Sequence, residues 1–399
     1  MRIFWLPFLL ALGVNIMLDF FIYRQLKKSS LPAACHLNKL HLVLAAVAHI
    51  AIIITLLMPL SNNDTSNATF VNSMKVIWYY FMFYVSKLVW AIIHALALPC
   101  WWPEWIKKGL KVLALIVALI VMGVMLQGVR STPYTYKVTQ ATIKSEHLPK
   151  AFNGYRIAHF SDLHLGTYND DTTFVSSCVQ AINQLKPDLI VFTGDLVSRT
   201  TSEAEPFKGV LSQLNASDGV LSILGNHDYD DYTTMTEEQR KKDHDALCKL
   251  QADCGWILLN NASTTLHRDG DSILVVGTEN YSMKHTPNYS RLDSTMGVAT
   301  HDVFTILLQH NPQMWRKEVI GGMYPVDLTL SGHTHALQMV IHLFGKTYSP
   351  AQHIYHEWGG LYTEGQQHLY VNTGIGMVGI PARISVKPEI TLITLKVKE

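Results

Sequence analysis

The sequence predicts an α/β fold of two packed β-sheets flanked by helices, preceded by a four-helix transmembrane region. Three observations carry this. Four apolar runs of bilayer-crossing length fill the first 130 residues, which are set apart as one domain from 131–399. Between residues 155 and 228 the order strand, turn, helix repeats about every 30 residues. Beyond residue 250 strands outnumber the helices that could cross between them, which favours two stacked sheets over one doubly wound sheet.

The apolar runs span about 3–23, 41–60, 76–98 and 112–129. A cleavable signal would explain the first alone. The connecting segments carry Arg24, Lys27, Lys28 and Lys39 between the first two runs, and Lys107, Lys108 and Lys111 before the fourth. Only Arg2, Lys75 and Arg130 lie on the other side. Basic loops stay in the cytoplasm, so the chain reads as an integral, multi-pass membrane protein with its C-terminal domain extracytoplasmic. Trp101, Trp102 and Trp105 suit the interface. Lys87, His94 and His49 fall inside the runs; with no partner carboxylate expected in these spans, the histidines are expected to hydrogen-bond between helices.

Charge divides at the same place. Residues 1–130 hold 11 Lys and Arg against 3 Asp and Glu, net +8, whereas the remainder holds 21 against 28, net −7. An acidic domain argues against long nucleic acids as partner or substrate, because phosphate backbones need a basic surface. The five cysteines form no Cys-x-x-Cys pair, which excludes a zinc ribbon. Cys248 and Cys254 are close enough in sequence for a disulfide; two free buried thiols is the alternative.

In the C-terminal domain, Tyr134, Tyr136 and Val138 alternate as a first strand would. Strands are expected over 155–161, 188–193 and 219–224, with helices over 171–185 and 204–214 between them. A charged helix over 235–253 precedes strands at 256–259, 272–277, 303–308, 327–331, 368–371 and 390–397.

Five of these strands run straight into polar residues: Asp162-Leu163-His164, Gly194-Asp195, Gly225-Asn226-His227-Asp228, His310, and Gly332-His333-Thr334-His335. Carboxylate, amide oxygen and imidazole are the ligands a divalent ion takes. Residues two apart on an extended strand end point the same way, so Asp162 with His164, and His333 with His335, are expected to converge through the pleat. A carboxylate with two oxygens, as at Asp195, can bridge two ions. Each motif alone is weak; five of them at strand ends are a strong joint signal. His159, inside an apolar strand, reads as core.

These motifs resemble those of the calcineurin-like metallophosphoesterase superfamily, over roughly residues 150–399. The tail Leu369-Tyr-Val-Asn-Thr-Gly-Ile-Gly followed by Pro381-Ala-Arg383 resembles the membrane-associated bacterial branch. That branch usually follows the last histidine with two glycines and a glutamine, where this chain has Ala336-Leu337-Gln338. The resemblance implies a four-layer sandwich and two divalent ions, without choosing among Mn, Fe, Zn, Co and Ni. It implies that Asp162, His164, Asp195 and His335 bind one ion and Asp195, Asn226, His310 and His333 the other. It makes His227 the catalytic histidine, with Asp228 holding its ring. The implied reaction is hydrolysis of a phosphomonoester, phosphodiester or pyrophosphate by a hydroxide held between the ions.

The insertion 343–362 carries Phe344, Tyr348, Ile354, Tyr355, Trp358, Leu361 and Tyr362. It reads either as a loop packed on its own domain or as an aromatic lip for an acyl chain or headgroup layer. The lip favours a lipid-linked or envelope phosphoester, presented by the bilayer at high local concentration. Two other functions stay open: a receptor using the domain as a non-catalytic binding module, marked by missing ligands, and a nucleotide or nucleic-acid phosphodiesterase.

Overall fold

The computed structural model describes residues 5–28, 32–58, 66–282, 287–297, 302–320 and 324–398, with side chains from Leu9 onward. The ends of the first two apolar runs, at 3–4 and 59–60, lie outside these residues. The chain divides into two compact units: Met1–Arg130 with Gly379–Ala382, and Ser131–Val378 with Arg383–Glu399.

The first unit consists of α1 (Trp5–Lys27), α2 (Ala34–Leu57), α3 (Asn67–Ala95) and α4 (Glu104–Arg130). All four are long and apolar enough to cross a membrane. Their outer surfaces stay apolar: Leu10, Met17, Ile50, Leu57, Ile92 and Ile120 are all more than half exposed. That pattern suits a helix whose solvent is hydrocarbon. Ser66 caps α3, its hydroxyl accepting the Thr69 N–H at 3.2 Å. Lys87 and His49 find a polar partner, whereas the expected hydrogen bond is missing at His94 Nδ1, whose ring stacks on Trp90 with centres 4.4 Å apart. Lys87 Nζ donates to Asp19 at 2.6 Å and His49 Nε2 lies 3.0 Å from the same carboxylate. The carboxylate that sequence reading failed to assign is therefore Asp19, in α1. The run around it is apolar enough that a single acid did not stand out.

The second unit is built on two six-stranded mixed sheets. The first has the order β1 (Lys137–Ser145), β14 (Glu389–Val397), β2 (Arg156–Phe160), β3 (Leu189–Phe192), β4 (Val220–Ser222) and β5 (Trp256–Leu258). Here β2 to β5 run parallel and β14 antiparallel to β2. The second has the order β12 (Gly360–Glu364), β13 (Gln367–Val371), β9 (Leu328–Ser331), β8 (Thr305–Leu308), β7 (Asp271–Gly277) and β6 (Ala262–Arg268). Its inner strands are parallel and its two edges antiparallel.

Side-chain alternation explains the layering. Leu189 and Val191 of β3 pack between the sheets with Ile157, Ile306, Leu308, Leu328, Leu330 and Ile393. Ile190 and Phe192 point the other way, onto Val175, Cys178 and Ile182 of α5 (Thr173–Gln184) and Leu211 of the one-turn α6 (Lys208–Leu211). Leu247 and Leu250 of α7 (Glu237–Asp253) complete that outer layer. The second sheet's outer face carries Leu292 and Met296 of α8 (Leu292–Met296) and Trp315. The result is helix, sheet, sheet, helix. Burying β3 on both faces is why it reads as an unbroken apolar run.

Local signals hold at the helix ends. Asp171 Oδ1 accepts the Thr173 N–H at 2.9 Å, and Thr236 with Gln239 closes a capping box before α7. Several expectations need correction. Tyr134 lies in a short helical turn, Thr132–Tyr134, that holds Pro133 in its first positions, so β1 starts only at Lys137. The region 204–214 is a short 3₁₀ turn, Glu205–Phe207, followed by the single α turn of α6, because Pro206 interrupts any longer ladder. β6 was missed: its residues alternate between exposed and half-buried, and the Asp269-Gly270 turn that joins it to β7 is the usable hairpin signal. The insertion holds a hairpin of β10 (Ile341–Leu343) and β11 (Lys346–Tyr348), and also β12. Cys248 and Cys254 are both free. His159 is fully buried, its Nε2 2.9 Å from Thr193 Oγ1.

Candidate metal centre and active site

The carboxyl ends of β2, β3 and β4 in one sheet and of β8 and β9 in the other deliver every motif residue. Strands in parallel end together, so five turns meet at one edge of the sandwich. Backbone bonds zip the turns: Asp162 N–H to Gly194 O at 2.9 Å, His164 N–H to Asp195 O at 3.2 Å, and Gly332 N–H to His310 O at 3.0 Å.

Two donor sets form. In the first, Asp162, His164, Asp195 and His335 present atoms that all lie within 4.8 Å of one another. His164 Nε2 and His335 Nε2 are 3.1 Å apart, and His335 Nε2 is 3.2 Å from Asp162 Oδ1. In the second, Asn226 Oδ1 lies 3.1 Å from His310 Nε2 and 2.8 Å from His333 Nδ1. Asp195 Oδ2 belongs to both, 3.5 Å from His164 Nε2 and 3.3 Å from His310 Nε2.

The atoms fit cations. His310 Nδ1 donates to Thr193 O at 2.7 Å, which leaves Nε2 as a lone pair facing acceptors: Asn226 Oδ1 and Asp195 Oδ2. Fully buried lone pairs and carboxylates aimed at one another repel unless a positive charge lies between them. The electrostatics of the buried groups points the same way. Burial opposes a charged ring at His310, but Asp195 and Asp162 beside it raise it to about 9. Burial would raise Asp195 too, yet His310 and His227 hold its carboxyl well below the usual range. Burial takes His333 down to about 3. The cluster of N and O donors suits a borderline or hard divalent ion.

The convergence does not come from the pleat. Asp162, His164, Asp195, His333 and His335 have φ of 53°, 43°, 61°, 74° and 49°, all left-handed. They lie beyond the strands, in turns that swing each side chain inward, and each such conformation costs about 1 kcal/mol or more. Close approach also explains two motif glycines. A Cβ on Gly225 would sit 2.2 Å from Asp195 Oδ1, and one on Gly332 2.4 Å from Asp162 Oδ2.

His227 borders the donor sets, its ring 4.9 Å from that of His164. Its Nδ1 donates to Ser198 O at 2.9 Å, which leaves Nε2 free to face a substrate. Asp228 does not touch this ring. Its two oxygens accept four backbone N–H groups, from Asp195 (2.8 Å), Gly225 (2.9 Å), Leu196 (2.9 Å) and Val197 (3.2 Å). The turn's N–H groups would otherwise be orphaned in a dry interior, so the carboxylate is drawn down to them.

Sequence reading missed Tyr232, while Tyr355 was named only as part of the aromatic insertion. Tyr232 stacks on His227 with ring centres 4.3 Å apart, and its hydroxyl accepts Asn226 Nδ2 at 2.9 Å, so Asn226 Oδ1 faces inward. Tyr355 places its hydroxyl 3.2 Å from His333 Nε2. Arg383 is fully buried, donating to the carbonyls of Thr373, Gly374 and Gly376, with Nη2 3.3 Å from His335 Nδ1. The Pro-Ala-Arg tail was the signal for Arg383; nothing in the sequence marks Tyr232.

The insertion is partly pinned and partly free. Thr334 Oγ1 donates to Trp358 O and Ser349 Oγ to Ala336 O. Phe344, at the hairpin tip, is 94% exposed.

A family model described as calcineurin-like phosphoesterase matches residues 155–337. An uncharacterized metallophosphoesterase, YkuE, of Bacillus subtilis is 36% identical over 268 residues, covering 66% of this chain and 87% of that protein. A transmembrane protein with metallophosphoesterase domain of Danio rerio is 31% identical over 70% of this chain, and one of Bos taurus 28% over 65%. The chain spans 62% and 57% of the length of these two vertebrate relatives. With the site's motifs and the Bacillus relative in agreement, the chain belongs to the calcineurin-like metallophosphoesterase family, and it is a metal-dependent phosphoester hydrolase.

Proposed function

We propose that this protein hydrolyses a lipid-linked phosphoester or pyrophosphate at the outer face of a membrane, using two divalent ions bridged by Asp195. The observation that carries the two-ion reading is that Asp195 Oδ2 faces His164 and His310 at once. Asp162, His164 and His335 would complete one ion's shell, and Asn226, His310 and His333 the other's. Bound there, the ions supply Lewis acidity toward the phosphoryl oxygens and toward a water. The chain's own residues do the rest. Ser198 O fixes His227 with a proton on Nδ1, so Nε2, once it too is protonated, can donate to a phosphoryl oxygen or give its proton to the departing oxygen. Tyr232 covers the outer face of that ring.

The hairpin β10–β11 supports the lipid part of the reading. Ile341, Leu343, Phe344 and Tyr348 are 51%, 51%, 94% and 43% exposed, close in sequence to His335. An apolar tip of this kind suits the headgroup and upper acyl region of a bilayer. The basic loops of the first unit support an extracytoplasmic catalytic domain.

The test is a substrate panel on the full-length protein in detergent with each candidate metal: dispersed phosphatidic acid, an isoprenoid pyrophosphate and cyclic AMP. Turnover of a lipid phosphate, weakened by Phe344→Ser, is expected. Turnover of cyclic AMP alone would overturn the lipid assignment; a metal-loaded protein inert to all three would overturn the whole reading. A reporter fused after Glu399 that is active only in the cytoplasm would overturn the orientation.

A further inference from the structure

The spanning helices carry a polar network that anchoring does not require. Asp19 of α1 sits at its centre, with its side chain 10% exposed. Its Oδ1 accepts Lys87 Nζ at 2.6 Å, and its Oδ2 accepts the Tyr84 hydroxyl at 2.7 Å and faces His49 Nε2 at 3.0 Å. His49 Nδ1 lies 3.2 Å from the Tyr80 hydroxyl, which in turn accepts Asn15 Nδ2 at 2.9 Å. His41 Nε2 reaches the Asp19 carbonyl at 3.1 Å, with the carboxylate 3.8 Å away. The titratable and charged groups facing Asp19 are thus His41 and His49 from α2 and Tyr80, Tyr84 and Lys87 from α3; α4 supplies none among the described residues.

Two features separate this network from a packing device. Helices in a bilayer can be joined by neutral hydrogen bonds and small residues, at far lower insertion cost than an ion pair with two imidazoles. The atoms also form one unbroken donor–acceptor chain: Asn15 N–H to Tyr80 O, Tyr80 O–H to His49 Nδ1, His49 Nε2–H to Asp19 Oδ2. Each link has a single proton, and the imidazole in the middle can take one at one nitrogen as it gives one at the other.

We propose that the first three helices form an intramembrane proton-binding site, with Asp19 as the final acceptor and His49 as the group that delivers the proton. A proton from water enters at His49 Nδ1, and the Tyr80 O–H turns away to make room. The imidazolium then passes its Nε2 proton to Asp19 Oδ2, leaving a neutral ring and a carboxylic acid. Lys87 loses its counter-ion in that step, so it is driven from Asp19 toward water, and its helix shifts with it. Proton binding is in this way coupled to the packing of α1 against α3. The site is independent of the phosphoester chemistry.

Infrared spectra of the full-length protein in phosphatidylcholine vesicles, titrated with acid, test this through the carboxylic-acid carbonyl stretch. A band that grows as pH falls in the wild type should be missing in Asp19→Asn. It should titrate at higher pH in Lys87→Met, where no ammonium competes. The double variant Asp19→Asn/Lys87→Met leaves no unpaired charge and serves if the single change misfolds; it too should lack the band. His49→Gln should slow the band's appearance after a pH jump at least tenfold. Identical titrations in the wild type and both Asp19 variants would overturn the proposal. So would a wild-type band indifferent to Lys87→Met and His49→Gln, which would mark a fixed clamp.

Discussion

The carboxylate of Asp228 accepts the backbone N–H of Asp195 at 2.8 Å, tying the turn after β4 to the turn after β3. With three more N–H groups on the same carboxylate, Asp228 is the fastener of the two turns that carry Asn226 and Asp195. Burial and the adjacent Asp195 raise its carboxyl to about 7 against the pull of these donors. Asp228→Asn puts an amide NH₂ against backbone N–H groups. It should lower stability by about 3 kcal/mol, as removal of a buried charged acceptor does. Thermal unfolding and metal content should fall together, and a variant that unfolds like the wild type would return Asp228 to a role at His227.

His227 should separate from the proposed ligands in its effects. His227→Ala is expected to lower kcat by about 10²–10⁴ while metal content, measured by elemental analysis, survives. Loss of both metals in this variant would make His227 a ligand.

Asp195→Asn should empty both ion positions, since one oxygen faces both donor sets. Full occupancy in the purified variant would rule out the shared oxygen.

The turn after His333 predicts a gain. His335, Ala336, Leu337 and Gln338 have φ of 49°, 51°, 46° and 57°, four left-handed residues in succession. Gln338 pins the turn by a double hydrogen bond to the Val378 backbone, at 3.2 and 2.8 Å. The resembling branch has glycine at the positions of Ala336 and Leu337, where left-handed backbone carries no penalty. Leu337 is 41% exposed and gives up little burial, so Leu337→Gly should stabilise the protein by about 1 kcal/mol. A lowered unfolding temperature would count against strain there.

Asp230 sets a pH dependence. Burial and the nearby Asp243 raise its carboxyl to about 8, above the unfolded value near 3.8. A raised folded value means the stabilising proton is held fully below about pH 4 and lost as pH climbs through 8. Asp230 has a left-handed backbone, φ 58°, which asparagine accepts readily. Asp230→Asn should therefore add stability on the order of 2 kcal/mol at pH 8 and almost none at pH 4. Equal shifts at both pH values would refute the assignment.

Much of this was legible in the chain because strands buried on both faces write themselves as short apolar runs. Val191 and Phe192 in β3 look the same to the eye although they face opposite layers. The motif residues follow such runs directly, which located the site. What could not be read was how they converge. A pleat would align Asp162 with His164, yet both lie past the strand in left-handed turns, whose backbone is set by the bonds to Gly194 and Asp195. Asp228's true partners were hidden for the same reason: backbone N–H groups carry no letter. Tyr232 reaches the site through a loop path that neither periodicity nor spacing encodes, while Tyr355 was marked only by the aromatic run around it. β6 was lost because its residues alternate weakly at a sheet edge.

The five left-handed positions among the proposed ligands have a consequence for how this protein can change. Glycine at any of them would relax the turn and surrender the donor. Heat resistance and catalysis therefore pull in opposite directions at these five positions. A library selected only for survival at high temperature would drift toward sturdy, inert molecules, and an inactive relative would be recognisable by glycine standing where Asp162, His164, Asp195, His333 or His335 stand in this chain.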